Sequence, residues 1–404
     1  DILIIEEEKS GPIILDEPTN GSVEDSAIDI GIDPQQADMS SADSTTSWTD
    51  HLRYKQNNFS IGVDKAWLEY GNFYDSQSSV DTSNYGHLAV SAEWSPTSAW
   101  ETRLAARVDW YKETGEPGTN EVELDYGDSF VRYRADNYRL TAGTQKVIWG
   151  RIDELPPTDR ISRADISRGV LDSLSDRRRA MPVVRFEGFQ SGYKLDAIWL
   201  ADFRKAALPE QDSIWYPINQ TKGTIQGFES TPLQSTLVQL GSISDSAPDG
   251  DGGFGLRLSN TGQRFDYAVT LQRARQSTPY FQLNPMVRNA LLAGDDPASA
   301  IDSSSEATFQ GQYPRTWVAG GDFGFEAMSA TWRFEAAWIS DTPVTRTNLL
   351  YDTVNSVNWA AGAQFYPGDS DVRVNLQFAA VNLIDASNVL DRTDIYNFNG
   401  SLFS

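Results

Sequence analysis

Strict two-residue alternation of apolar and polar side chains constrains this chain more than any other feature. Val372, Val374, Leu376, Phe378 and Ala380 alternate with Arg373, Asn375, Gln377 and Ala379. Trp332, Phe334, Ala336 and Trp338 do so against Arg333, Glu335 and Ala337, and Phe265, Tyr267, Val269 and Leu271 against Arg264, Asp266, Ala268 and Thr270. Tyr193, Leu195, Ala197 and Trp199 alternate with Lys194 and Asp196, and Trp100, Thr102, Leu104, Ala106 and Val108 with Glu101, Arg103, Arg107 and Asp109. Successive strand side chains point to opposite faces, so each run is a strand with one apolar and one polar face. Runs of roughly ten residues match a tilted membrane strand.

The pattern gives fourteen strands, near 59–70, 85–94, 99–111, 126–135, 137–148, 182–190, 193–204, 253–260, 263–273, 315–327, 330–340, 355–366, 370–382 and 394–404. Alternation breaks near Lys65, which predicts a bulge. Short turns follow every even strand: 95–98, 136, 191–192, 260–262, 328–329 and 367–369. Long loops follow every odd one: 71–84, 112–125, 149–181, 205–252, 274–314, 341–354 and 383–393. A bacterial outer-membrane barrel has this asymmetry, with short periplasmic turns and long external loops. The expected fold is therefore all-β, a transmembrane antiparallel barrel of about 14 strands spanning 48–404, with both termini periplasmic. Trp94, Trp100, Trp110, Tyr193, Trp332 and Trp338 are placed near strand ends as an aromatic girdle. The wall either closes at Ser404 or continues in further strands.

Composition is compatible. The chain has 404 residues, 33 Lys+Arg against 57 Asp+Glu, and no Cys. A net charge of -24 argues against nucleic acid, which needs a basic surface. Without Cys there are no disulfides or thiolate metal sites. No apolar run is long enough for a transmembrane helix. The start at Asp1, without a basic n-region, suggests a processed N-terminus.

Residues 1–47 stand apart: acidic, free of aromatics, with Lys9 as their single basic residue. Such a segment cannot bury enough apolar surface to offset its ordering entropy, so a disordered periplasmic tail is expected. Its apolar knots, Ile4 and Ile5, then Ile13, Ile14 and Leu15, could dock on a partner by adding a strand to a sheet edge.

The polar strand faces place Arg103, Arg107, Arg132, Arg134, Arg139, Arg185, Arg257, Arg264, Arg333 and Arg373 in the lumen, together with Glu101, Asp109, Asp196, Asp266 and Glu335. This set is either a stiffening salt-bridge lattice or a water-filled pore that favours polar or anionic solutes. Loop 149–181 mixes Arg151, Asp153, Glu154, Asp159, Arg160, Arg163, Arg177, Arg178 and Arg179. Ile166, Val170, Leu171 and Leu174 have near-helical spacing behind Asp165, so a helix is expected there, in a loop that either folds into or across the lumen as a constriction or stays a structured external loop. A short external helix is expected near 283–292. His87 and Ser91 share an inner face without a third group to orient them, and Asp245, Asp249 and Asp251 lack calcium-loop spacing. No catalytic residue, metal or cofactor is therefore assigned.

Leu140 to Arg151 resembles a strand motif, G-x-Q-x-V-x-W-G, carried here by Gly143, Gln145, Val147, Trp149 and Gly150. The motif is that of a proteobacterial outer-membrane barrel family catalogued as a domain of unknown function. The resemblance is sharp over 140–190 and architectural elsewhere. It implies a plug-like loop after the motif strand. It also implies trans-envelope transport of hydrophobic or lipid-like molecules, because such proteins are often encoded beside RND-type exporters and a periplasmic lipid-carrier-like protein. The tail would then contact the transporter. Two alternatives remain: an independent passive porin for small polar or anionic solutes, and a structural or adhesion barrel that binds partners through 205–252 and 274–314.

Overall fold

The structure is a computed structural model. It describes residues 52–74, 80–115, 118–152, 156–169, 171–173, 175–211, 213–226, 230–262, 265–368 and 372–403. The acidic tail with Ile4, Ile5, Ile13, Ile14 and Leu15 lies outside these residues, as do Asp153, Glu154 and Arg264.

One antiparallel sheet of sixteen strands dominates. Its strands are β1 (Arg53–Gln56), β2 (Phe59–Asn72), β3 (Val80–Thr97), β4 (Trp100–Gly115), β5 (Thr119–Tyr126), β6 (Ser129–Arg134), β7 (Tyr138–Gln145) and β8 (Met181–Gln190). They continue as β9 (Tyr193–Leu200), β10 (Gly253–Thr261), β11 (Phe265–Arg275), β12 (Arg315–Ala327), β13 (Ala330–Thr345), β14 (Tyr351–Phe365), β15 (Arg373–Ile384) and β16 (Asp394–Phe403). All fourteen expected strands are present. One is split into β5 and β6, which both pair with β4, and β1 is added ahead of β2.

The split is a bulge. Tyr126 faces Ala106 and Phe130 faces Arg103, so four steps on one strand oppose three on the other. The expected bulge at Lys65 is present as a register shift between Val63 and Lys65. The Ser191-Gly192 and Met328-Ser329 turns have positive φ at both residues, the conformation that matches the twist of two-residue hairpins. Several expected loops are shorter than read. Strands β4 and β5 occupy most of 112–125, and β13 runs to Thr345, which puts Trp338 mid-strand rather than near an end. Charged and Thr-rich stretches there, such as Lys112-Glu113-Thr114, extend the strands without alternating apolar residues.

The sheet is inside-out relative to a soluble protein. Leu68, Leu88, Leu104, Val131, Leu140, Leu195, Leu256, Val269 and Phe334 are exposed, while Arg107, Asp109, Glu187, Asp196, Arg257, Asp322 and Glu335 are buried. So broad an apolar face exceeds what a water-soluble surface carries and matches a lipid-facing band. The sheet also curls. Segment 149–179 touches β2 through Lys65, β4 through Arg107, β9 through Asp196, β12 through Asp322 and β14 through Gly362. Strands that far apart in the ladder reach one segment with one face only if the wall wraps around it as a barrel. Among the described residues the ladder ends at β16, with no pairing back to β1 or β2.

At the long-loop end, the loops 205–252 and 274–314 fold together. They supply α1 (Pro232–Leu240), α2 (Pro285–Ala293), α3 (Pro297–Asp302) and a three-stranded sheet from 243–244, 280–283 and 309–312. Leu237, Val287 and Ala300 form its small core. The expected helix near 283–292 is α2, capped by the buried Asn284, whose side chain accepts from Met286 N.

Candidate functional site: a charged segment across the lumen

Strand β7 leaves the wall after Gln145 and turns inward. Gly143, two residues earlier, is still paired with Phe130 and Val183 and packs closely on the neighbouring strand. It sits at φ 138°, and a Cβ there would lie 2.3 Å from Ser129 O and 2.6 Å from Phe130 Cα. Val147, Trp149 and Ile161 then pack with Met181, Val183, Ile198 and Leu200 in a dry cluster against β8 and β9. Trp149 is 1% exposed, and its Nε1 donates to Asp196 Oδ2 at 3.1 Å. Gly255 makes room for its ring: a Cβ there would lie 2.6 Å from it.

The next stretch is clamped to β11, β12 and β13. Glu335 accepts from Arg151 N, Ile152 N (2.6 Å), Thr158 N (3.4 Å) and Thr158 Oγ1 (2.9 Å). Arg151 pairs with Asp322 and lies 3.6 Å from Asp266. Gln272 accepts from Arg160 N at 3.0 Å and donates to Thr158 O at 2.5 Å. Asp159 accepts from Ser162 N at 2.9 Å and Ile161 N at 3.1 Å, holding a local turn. Arg163 is fully buried, and its Nη1 donates to three successive carbonyls, of Arg160, Ile161 and Ser162. Burial pulls its guanidinium down to about 10, so it stays protonated at neutral pH.

The far end is tied to β2–β5. Arg107 pairs with Asp165 of the segment and, at 3.0 Å, with Asp109. Asp109 also takes Tyr85 Oη and His87 Nδ1, each at 2.6 Å, and His87 stacks on Trp67. Arg168 lies 3.6 Å over the Tyr85 ring and pairs with Glu69 and Asp172. Lys65 holds Asp176 at 2.8 Å, and Arg179 reaches Asp125 at 3.1 Å and Glu123 at 2.9 Å. Burial raises the Asp176 carboxyl, but the Lys65 bonds and charge outweigh it and hold the group below its usual value.

The helix expected around Ile166 and Leu171 is a correction. The described residues there form a two-residue ladder of Arg163–Ala164 with Arg178–Arg179, a bridge from Asp165 to Ala207, and turns. Apolar spacing lost to local chemistry. Gly169 takes φ 61°, Asp165 accepts from Ser167 Oγ, and Asp165 and Arg168 are drawn to opposite partners on the wall. Arg177 contributes its carbonyl, which accepts from Asp165 N.

The other lumen residues stand as follows. Arg103 pairs with Glu93 and Asp64, Arg132 and Arg134 share Glu101, Arg139 lies 3.6 Å from Glu187, and Arg185 holds Asp196 at 2.5 Å. Arg257 binds Asp322 at 2.6 Å. Arg333 and Arg373 follow the inward register of Glu335 and Gln377. Ser91 donates to Asp64 rather than to His87, while Asp245 and Asp251 pair with Lys205 and Arg315.

Sequence reading missed Lys65, Glu69, Tyr85, Asp125, Gly255 and Gln272 as partners of the segment. It also missed a change of chemistry along the wall. In β14–β16 amides are prominent on the inward face, beside Arg373, Gly362 and Ala360: Gln364 faces Asn375, and Gln377 faces Gly362 and Asn399. Asn358 and Asn397 lie on the same face.

No protein-family model and no curated protein matches the chain. Among solved structures, Salmonella typhi OmpF in complex with daunomycin aligns at TM-score 0.45 and 9% identity, over 86% of this chain and 87% of that one. The outer membrane channel DcaP of Acinetobacter baumannii aligns at 0.37 and 9%, over 82% of each chain. An anion-selective porin from Comamonas acidovorans aligns at 0.34 and 10%, over 82% and 79%. Likeness at these scores carries no argument, so the fold rests on the ladder and the inverted faces described above. Together they define the class: a membrane β-barrel wall with an internal segment bound across its lumen.

Proposed function

We propose that the protein is a bacterial outer-membrane channel kept narrow by residues 149–179. It would act as a conduit that opens in concert with a partner rather than as a free pore. One observation carries this reading: the segment is bonded to opposite parts of the wall, through Glu335 and Asp322 at one end and Lys65, Glu69 and Arg107 at the other. An inner-membrane exporter reached through the tail, and a lipid-like cargo, are supported only by the motif around Trp149. The charged lining supports a polar or charged cargo instead.

The second reading, a passive porin for polar solutes, is favoured by the amides on the inward face of β14–β16, which Ile152 meets at Gly362. Planar-bilayer recording separates the two. The conduit reading expects low, rare conductance from the intact chain and a large rise when 151–178 is replaced by a short Gly-Ser linker. A steady open conductance that the replacement does not change would sink it in favour of the porin. Co-purification with and without 1–47 tests the docking role of the tail.

A further inference from the structure

Nearly every inward arginine described above is matched by a carboxylate. The outward rim at the long-loop end departs from that rule. Arg273 on β11 is exposed and lies 5.3 Å over the Trp317 ring, which meets Phe254 edge-on at 5.9 Å. Two residues further along β11, Arg275 is the register partner of Arg315. Arg315 takes Asp251 through its carboxylate and its carbonyl at 2.9 Å. That leaves Arg275 with one bond, Nη1 to Tyr313 O at 3.3 Å, and a buried Nε without a partner. Among the described residues no carboxylate comes within ion-pair distance of Arg273 or Arg275. Arg275 borders a cavity of about 170 Å³ that also presents Ser246, Gln312 and Tyr351.

Of these three guanidiniums only that of Arg315 is paired with an aspartate, in a chain of net charge -24. They lie at the edge of the apolar band, beside the aromatic side chains that mark a membrane interface. Arginine presents paired N–H donors that match a phosphate, and clustered basic residues at a membrane surface bind anionic headgroups.

We propose that Arg273, Arg275 and Arg315 form a binding site for the phosphate of an anionic glycolipid in the outer leaflet. Arg275 and the polar cavity take the phosphate. Trp317 and Phe254 take the start of the acyl chains, with Arg273 between the two zones. The site rests on the outer-membrane reading but not on the channel being open or closed.

The test uses the intact chain purified in detergent, with bound lipid read by native mass spectrometry. The probes are bis-phosphorylated lipid A, the same lipid with its phosphates removed, and inorganic phosphate. The expected result is retention of the phosphorylated lipid at about tenfold lower concentration than the dephosphorylated one. That preference should disappear in the double variant Arg273→Gln/Arg275→Gln and persist in Arg288→Gln, on the exposed cap. Full preference in the folded double variant overturns the proposal. So does inorganic phosphate binding at the same concentrations as the lipid, which would make this a free-anion site. If the double variant does not fold, the comparison of the two lipids on the unmodified chain still decides. Conductance is not measured here, so failure of the conduit reading leaves a separate signature.

Discussion

Replacing Glu335 with glutamine tests the internal clamp with the least change in shape. Four donors converge on this side chain: Arg151 N and Ile152 N on one oxygen, Thr158 N and Oγ1 on the other. Glutamine keeps one acceptor oxygen and turns the other into an NH2 group, so one pair of donors must face another donor. Leaving a buried donor without an acceptor costs about 1–3 kcal/mol, and neighbouring bonds are not additive. Losing one pair should weaken attachment of this stretch by about 3 kcal/mol. Since about 1.4 kcal/mol is tenfold, the amides of Arg151, Ile152 and Thr158 should exchange roughly a hundredfold faster with deuterium. Hydrogen-exchange mass spectrometry on the detergent-purified chain reads this directly, with peptides from β8 and β9 as an internal reference that should not move. If Glu335→Gln folds and exchange around 151–158 stays at the original rate, Glu335 is not the anchor and the clamp argument fails.

Other outcomes follow from the same geometry. Gly255→Val should push Trp149 out of its seat, because a Cβ at 255 already falls 2.6 Å from the ring; an overpacking loss of about 1–3 kcal/mol in stability and a red-shifted tryptophan emission are expected, and unchanged values would refute the packing. Leu104→Arg on the lipid face should cost about 2–4 kcal/mol and reduce heat-resistant folding on gels, whereas a water-facing Leu104 would tolerate it. The Asp176 carboxyl is held below its ordinary value, so its tie to Lys65 stabilises the segment above the unfolded carboxyl value of about 3.9 and is lost as pH falls through the depressed folded value. Conductance should therefore rise below about pH 4 in the unmodified chain. Asp176→Asn should show the raised level already at neutral pH, and identical pH profiles would count against the latch.

Strands and faces were legible because a lipid-facing wall imposes alternation residue by residue. Trp332 to Trp338 and Val372 to Ala380 could hardly be read otherwise. The same reading placed Arg107, Asp109, Arg257 and Glu335 on the inner face. It shortened strands wherever alternation stopped being apolar, as at Lys112-Glu113-Thr114, because above the lipid a strand is held by its ladder alone. The path of 149–179 was legible only as charge density. Its conformation depends on partners far away in sequence, such as Asp322 and Glu69, and no local spacing encodes them. The helix expected at Ile166 failed for that reason. Gly255 escaped notice because its role is to be empty beside Trp149, a fact visible only once β10 faces the segment.

Gln145 and Met181 are register partners, so the segment that crosses the lumen begins and ends at adjacent points of the wall. In folding terms it is an enlarged hairpin loop. Closing a long loop adds little entropy cost beyond a short one. Strands β7 and β8 can pair before anything inside is ordered, and the interior can condense last, onto a wall already built. Residues 146–180 could then be shortened, grafted or exchanged between related barrels without altering the pairing of a single strand. The chain would thereby separate the part that holds it in a membrane from the part that decides what passes.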